Sequence, residues 1–158
     1  MSSSTLSRRD WLAAAAAALG ALLVRPADAL ALAKTPITIY KSPTCGCCAK
    51  WVDHARAAGF VATVNDTEAM DAIKKRHGVP TNLQSCHTAL VGGYVIEGHV
   101  PAADVLRLLR EKPAAVRGLA VPGMPAGSPG MEIPGGAVDR YDVVAFNRDG
   151  TTKVFAKH

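Results

Sequence analysis

Aromatic side chains are scarce in this chain of 158 residues: three Phe, three Tyr and two Trp, 5% of the total. A core built almost without them must rest on Ala, Val, Leu and Ile, and the 49% hydrophobic content is enough for one, which argues against a disordered chain. Runs of one charge are also missing. The formal net charge is +5, yet the Lys and Arg residues are scattered and no stripe of them suggests a nucleic-acid interface. No apolar run reaches the roughly 20 residues that a membrane span needs. Cysteine occurs only four times, always between Cys45 and Cys86, and three of the four fall within four residues. Disulfide scaffolds close long loops. This clumping does not, and it marks one thiol-rich site instead.

The first residues read as an address. Ser7-Arg8-Arg9-Asp10-Trp11-Leu12 leads into an Ala- and Leu-rich stretch of 14 residues, Trp11 to Val24, the pattern of a signal peptide rather than a mature membrane helix. The paired arginines match the twin-arginine signal, with Trp11 where Phe is more usual. Ala27-Asp28-Ala29 and Ala31-Leu32-Ala33 both offer small residues for cleavage, and a retained amphipathic anchor is the alternative. We expect residues 1–33 to be a twin-arginine signal peptide and the mature protein to be periplasmic, without stable membrane insertion. Three arginines and two aspartates leave with that segment, so the 125 residues from Lys34 carry +4. Export would place the thiols in an oxidising compartment, where they persist only if paired, metal-bound or kept reduced.

From Lys34 onward the elements alternate. Ile37 to Tyr40 reads as a strand, Cys47 to Ala58 as a helix stopped by Gly59, and Phe60 to Val64 as a second strand. Asn65 with Glu68 resembles a capping box. The helix it opens carries Met70 and Ile73 inward and ends in Lys74-Lys75-Arg76-His77, cations suited to the negative end of a helix dipole. Thr88 to Val91 and Tyr94 to Glu97 form a hairpin around Gly92-Gly93. Pro101 opens a helix with Val105, Leu108 and Leu109 on one face, ended by Pro113. This order predicts a small α/β sandwich with a mixed sheet flanked by helices. Gly118 to Gly136 holds ten Gly or Pro in 19 residues, a composition that predicts neither helix nor sheet. Tyr141 to Phe146 and Thr151 to Phe155 flank a turn and predict a C-terminal β-hairpin. Residues 34–113 are thus read as the metal-binding domain, and 114–158 as a Met-containing loop and hairpin extension packed on it.

Cys45 and Cys48 have the spacing of a thioredoxin-type dithiol at a strand-to-helix junction, where backbone N–H groups and the helix dipole stabilise a thiolate. Cys47 stands where such motifs carry proline. Three adjacent thiols would scramble disulfides unless something occupied them, and three thiolates at one helix start make a basket for soft metal ions. Cys86, 38 residues beyond Cys48, supplies a fourth sulfur just before the third strand, or else is an ordinary buried thiol. His87 would face away from Cys86 in a regular strand and can join it only if the strand starts irregularly. His99 precedes a helix. Met124 and Met131 lie in the Pro/Gly loop within a repeated Pro-Gly-Met, as thioether donors for Cu(I) or as plugs against the core. His54, His77 and His158 receive no role.

These residues resemble the CopG-like periplasmic copper-resistance proteins, long described only as a domain of unknown function. The resemblance rests on Tyr40-Lys41-Ser42-Pro43-Thr44-Cys45-Gly46-Cys47-Cys48, Gly78-Val79-Pro80 and Ser85-Cys86-His87-Thr88-Ala89. It continues through Gly93 to Pro101, Gly118 to Pro125 and Gly127 to Glu132. It implies a thioredoxin-like fold with added elements, and copper held as a multinuclear, cysteine-bridged site in copper tolerance. It also makes Cys45, Cys47, Cys48 and Cys86 the leading ligands, with His87 and His99 as candidates. The expected function is therefore a copper-binding protein for Cu(I) and Cu(II) that sequesters the metal or interconverts its oxidation states, in exchange with other periplasmic copper-handling proteins. A thiol-disulfide oxidoreductase using Cys45 and Cys48 is the alternative, and a structural Zn²⁺ site is a third reading that the vicinal Cys47-Cys48 fits poorly.

Overall fold

The structure, a computed structural model, describes residues 35–158; the export signal expected over 1–33 lies outside the described residues. Among the described residues no helix is long and apolar enough to cross a membrane. The first elements are β1 (Pro36–Lys41), α1 (Gly46–Ala57), β2 (Val61–Asp66) and α2 (Met70–His77). A short 3₁₀ turn, Thr81–Leu83, leads to β3 (His87–Val91), β4 (Tyr94–Glu97) and α3 (Ala102–Glu111). Then come β5 (Val116–Ala120), β6 (Asp142–Asn147) and β7 (Thr152–Lys157). The expected mixed α/β architecture is present. All strands form one seven-stranded sheet in the order β2-β1-β3-β4-β5-β6-β7, with β1/β2 and β4/β5 parallel and the other pairs antiparallel.

Side-chain alternation divides the molecule into two layers of core. Ile37, Ile39, Ala89, Ile96 and Leu119 face the layer that holds Trp51, Val52 and Ala55 of α1 with Val105, Leu108 and Leu109 of α3. Val95, Ala120 and Phe146 face the other side, covered by Val79 and Leu83 after α2. The same alternation sets two neighbours apart at the start of β3. His87 lies opposite Lys41 and Thr88 opposite Tyr40, so consecutive residues serve opposite faces.

Two expectations need correction. Asn65 does not cap α2 but remains in β2, and the turn is closed instead by Thr67 Oγ1, which accepts from Ala69 N at 3.1 Å. The Gly/Pro-rich stretch is not devoid of sheet, because Gly118 to Ala120 belong to β5. Glycine at 118 permits close packing rather than breaking the strand, since a Cβ there would stand 2.0 Å from Val95 O and 2.7 Å from the Phe146 ring. As expected, α3 stops just before Pro113: its last residue is Glu111, and Lys112 after it takes the left-handed conformation at φ 45°.

A sulfur and imidazole centre at the start of α1

Cys45 occupies the N-cap of α1. Its backbone is extended and its Sγ accepts from Cys48 N at 3.4 Å, the place a Ser or Asp oxygen takes in other helices. Cys48, one turn in, is fully buried, and the two are joined by a disulfide. Cys47 is half-buried with a free thiol, 3.5 Å from Cys45 Sγ. Cys86 sits in the bend just before β3. All four sulfurs lie within 4.8 Å of one another.

The irregular strand start that His87 required is present at this bend. Cys86 Sγ stands 3.4 Å from His87 Nδ1 and 2.9 Å from His99 Nε2, and the three donors form a second set within 4.8 Å. Cys86 therefore belongs to both sets. His99 Nδ1 lies 2.8 Å from the Pro129 carbonyl, and a carbonyl can only accept, so the proton sits on Nδ1. Burial holds the His99 imidazole below its ordinary value. Its Nε2 consequently presents a lone pair to Cys86, the orientation a metal ligand needs.

His87 is fully buried, against the Trp51 ring at 4.5 Å and edge-on to His99 at 5.0 Å. Burial, then the neighbouring His99, Lys74 and Lys41, hold it well below its ordinary value, so it is neutral. Its Nε2 has no partner among the described residues, which is unusual for a buried polar atom. Burial and the neighbouring Cys47 thiol push the Cys86 thiol up to about 12. It is therefore protonated until a cation displaces the proton.

A buried ion pair holds the Cys86 loop in place from the opposite face of the sheet. Glu97 accepts from Lys74 Nζ at 2.5 Å, from Ser85 N at 2.7 Å and from Thr88 Oγ1 at 2.6 Å. Burial pushes its carboxyl above the usual range, with Lys74 as the main opposing influence. Lys74 stands in the last turn of α2, as the sequence implies, and in addition is 4% exposed and paired with Glu97. A glutamate in a strand of apolar residues was the signal for that pair. Trp51, Pro129 and Gly130 were also missed as site elements. Gly130, at φ 88°, lies so close that a Cβ would stand 2.7 Å from Cys47 O, 2.9 Å from Trp51 N and 3.4 Å from His99 Nδ1.

The methionines divide. Met131 lines a concavity of about 340 Å³ with Gly46, Cys47, Lys50 and Glu132. Met124 is 55% exposed, next to Gly123, whose carbonyl accepts from Ser85 Oγ. Two histidines left without a role gain one. His54 Nε2 accepts from Ala102 N at 3.0 Å, capping α3, and His158 Nε2 pairs with Asp104 at 2.7 Å. His77 is not the helix-end cation expected, because burial, Arg117 and Arg76 hold it below its ordinary value.

The donor chemistry fits a soft ion. The free thiols of Cys47 and Cys86, the two sulfurs that reduction of the disulfide would release, and two neutral imidazoles suit Cu(I) better than hard oxygen-seeking cations. Residues 83–131 match a family model described as a protein of unknown function, DUF411. Two solved structures of the copper resistance protein CopG, Form 2 and Form 1, are similar to this chain, with TM-scores of 0.75 and 0.74. Each is 45% identical, and each comparison covers 79% of this chain and 98% of the other. No curated protein matches the chain significantly.

Proposed function

This chain belongs to the CopG-like family of copper-resistance proteins, and from that premise we propose that it is a periplasmic copper-binding protein serving copper tolerance. The observation that carries the reading is the overlap of the two donor sets at Cys86. A thiolate that faces both Cys45, Cys47 and Cys48 and the imidazoles of His87 and His99 can bridge ions, so the site takes several coppers rather than one. Met131, beside Cys47, is proposed as an outer thioether donor, and Met124 as a donor from the loop that Ser85 holds. Delivery and release would involve other copper-handling proteins of the same compartment, reached through the twin-arginine route that Arg8 and Arg9 suggest.

The Cys45–Cys48 disulfide adds redox chemistry to this reading. The dithiol gives one electron to each of two Cu(II) ions, producing two Cu(I), one disulfide and two protons. An external dithiol reductant, itself oxidised to a disulfide, supplies the two electrons and two protons that restore the ligands. The same disulfide favours a second reading, a thiol-disulfide oxidoreductase that acts without metal.

The test is metal analysis of full-length protein reduced anaerobically and offered copper and zinc together. Wild type should retain more than one copper per chain, and the variant with Cys45, Cys47 and Cys48 replaced by Ser should retain none. Equal copper in the two proteins would sink the reading. Zinc retained in place of copper would point to a structural site, and metal-free turnover of a model disulfide to the second reading.

A further inference from the structure

Far from the sulfur centre, three separate elements bring cations to one place. A concavity of about 290 Å³ is lined by Lys75, Arg76, His77 and Gly78 at the end of α2, by Arg117 of β5, and by Asn147 and Arg148 where β6 turns toward β7. The register puts it at the opposite end of the sheet from the cysteines. Ala120, at the end of β5, pairs with Glu97 beside the centre, while Val116, at its start, pairs with Asn147.

Among the described residues only Arg117 of this group hydrogen-bonds the helix end; Lys75, Arg76 and Arg148 donate nothing to it. Gly78 N and Val79 N already occupy the carbonyls of Lys75 and Lys74, and the His77 carbonyl accepts from Arg117 Nε and Nη2 at 3.4 and 3.3 Å. Nor do carboxylates neutralise these charges. Among the described residues none of Lys75, Arg76, Arg117 and Arg148 is in an ion pair. Asp149, in the same turn, directs its carboxylate to Thr151 N and Oγ1, and Asp71, one turn back on α2, is in no ion pair among the described residues. Burial, then the charges of Arg117 and Arg76, hold the His77 imidazole below its ordinary value.

Arg117 is aimed by a local irregularity. The register shifts between Val116 and Gly118, so Arg117 is the extra residue of a β-bulge, a device that redirects a side chain. Val116 packs on the α1/α3 core while Arg117 reaches the end of α2 on the other face. Two N–H groups of its guanidinium hold the His77 carbonyl, which leaves the rest of the fork preorganised for an acceptor.

We propose that this concavity is an anion site that takes a phosphate-class oxyanion, either free or carried on a lipid headgroup. Several cations around one open space suit a multiply charged tetrahedral group, and an arginine fork matches its oxygens. The site is independent of the copper reading.

Nuclear magnetic resonance titration of the full-length protein with inorganic phosphate, against chloride at matched ionic strength, tests it. Saturable shifts centred on Gly78, Arg117 and Arg148 are expected with phosphate only, and Arg148→Gln should weaken binding at least tenfold. Arg148 is exposed and makes no hydrogen bond or ion pair among the described residues, so this variant reads out the site without a folding cost; Arg117→Gln is the companion. Sedimentation with phosphatidylglycerol or phosphatidylcholine vesicles separates the sources. Binding to the anionic vesicles alone, lost in Arg148→Gln, assigns the anion to a headgroup and sustains the proposal. Identical shifts with chloride, unchanged binding in Arg148→Gln, or no response to phosphate or vesicles would overturn it. Copper retention should be unaffected in both variants.

Discussion

Glu97 brings a carboxylate into a strand position with no solvent exposure, and it is satisfied there by Lys74, Thr88 and the Ser85 amide. Removing one member of a buried pair leaves the other charge stranded, which typically costs about 3–5 kcal/mol. Glu97→Ala should lose stability of that order in urea denaturation. A double replacement, Lys74→Met with Glu97→Leu, should recover most of it. The Ser85 amide loses its acceptor in both proteins, so both should bind copper more weakly than wild type. Recovery of stability with no recovery of copper affinity would separate positioning of Cys86 from plain folding. His99 follows the same logic at shorter range, since the Pro129 carbonyl sets its tautomer and thereby the atom that faces Cys86.

At the scale of elements, the loop between β5 and β6 supports the centre as much as α1 does. Its own hydrogen bonds shape it, among them Met131 N to Ser128 O at 2.8 Å and Ser128 Oγ to Pro125 O at 2.7 Å. Gly130→Ala would demand a left-handed backbone and push against Cys47 O and Trp51 N. We expect a loss of about 1–3 kcal/mol and a weaker copper site, measured by thermal unfolding and copper competition. The α3 cap yields a pH prediction. Burial is the main cause that lowers the His54 pKa from its ordinary 6.5, with Glu132 opposing, and Nε2 must be unprotonated to accept from Ala102 N. Its contribution is complete above about 6.5 and is lost as the pH falls toward the depressed folded value. Metal-free protein should therefore lose stability on acidification from pH 7 to 5, and the loss should be smaller in His54→Ala.

The helices and the first four strands were legible in the sequence because each carries its own period and its own stop, as at Gly59, Gly78 and Gly92-Gly93. The cysteine cluster was legible because spacing alone placed Cys45 at a helix start. The capping of α2 was not, since Asn65 is claimed by the parallel pairing with Tyr40, a long-range contact that local pattern does not carry. Nor was β5, whose Gly118 reads as a breaker and serves as a close-packing site. The Lys74–Glu97 pair escaped for a related reason, because a lysine in a last helical turn looks like a dipole partner until the facing strand is known. His99 could be named but not oriented, its Pro129 partner lying 30 residues away.

For the whole molecule, one sheet joins both ends of the account. β3 to β5 carry His87 and Glu97 at one end, beside the bend that holds Cys86, and Arg117 at the other, so metal and anion would bind without sharing a residue. The central claim is that sulfurs of Cys45, Cys47, Cys48 and Cys86 bridge several copper ions with imidazole support. Copper K-edge X-ray absorption of the anaerobically reduced, copper-loaded protein tests it most directly. We predict a first shell dominated by sulfur, with a nitrogen contribution and copper–copper scattering. A shell of nitrogen and oxygen alone, with no copper–copper vector, would contradict it.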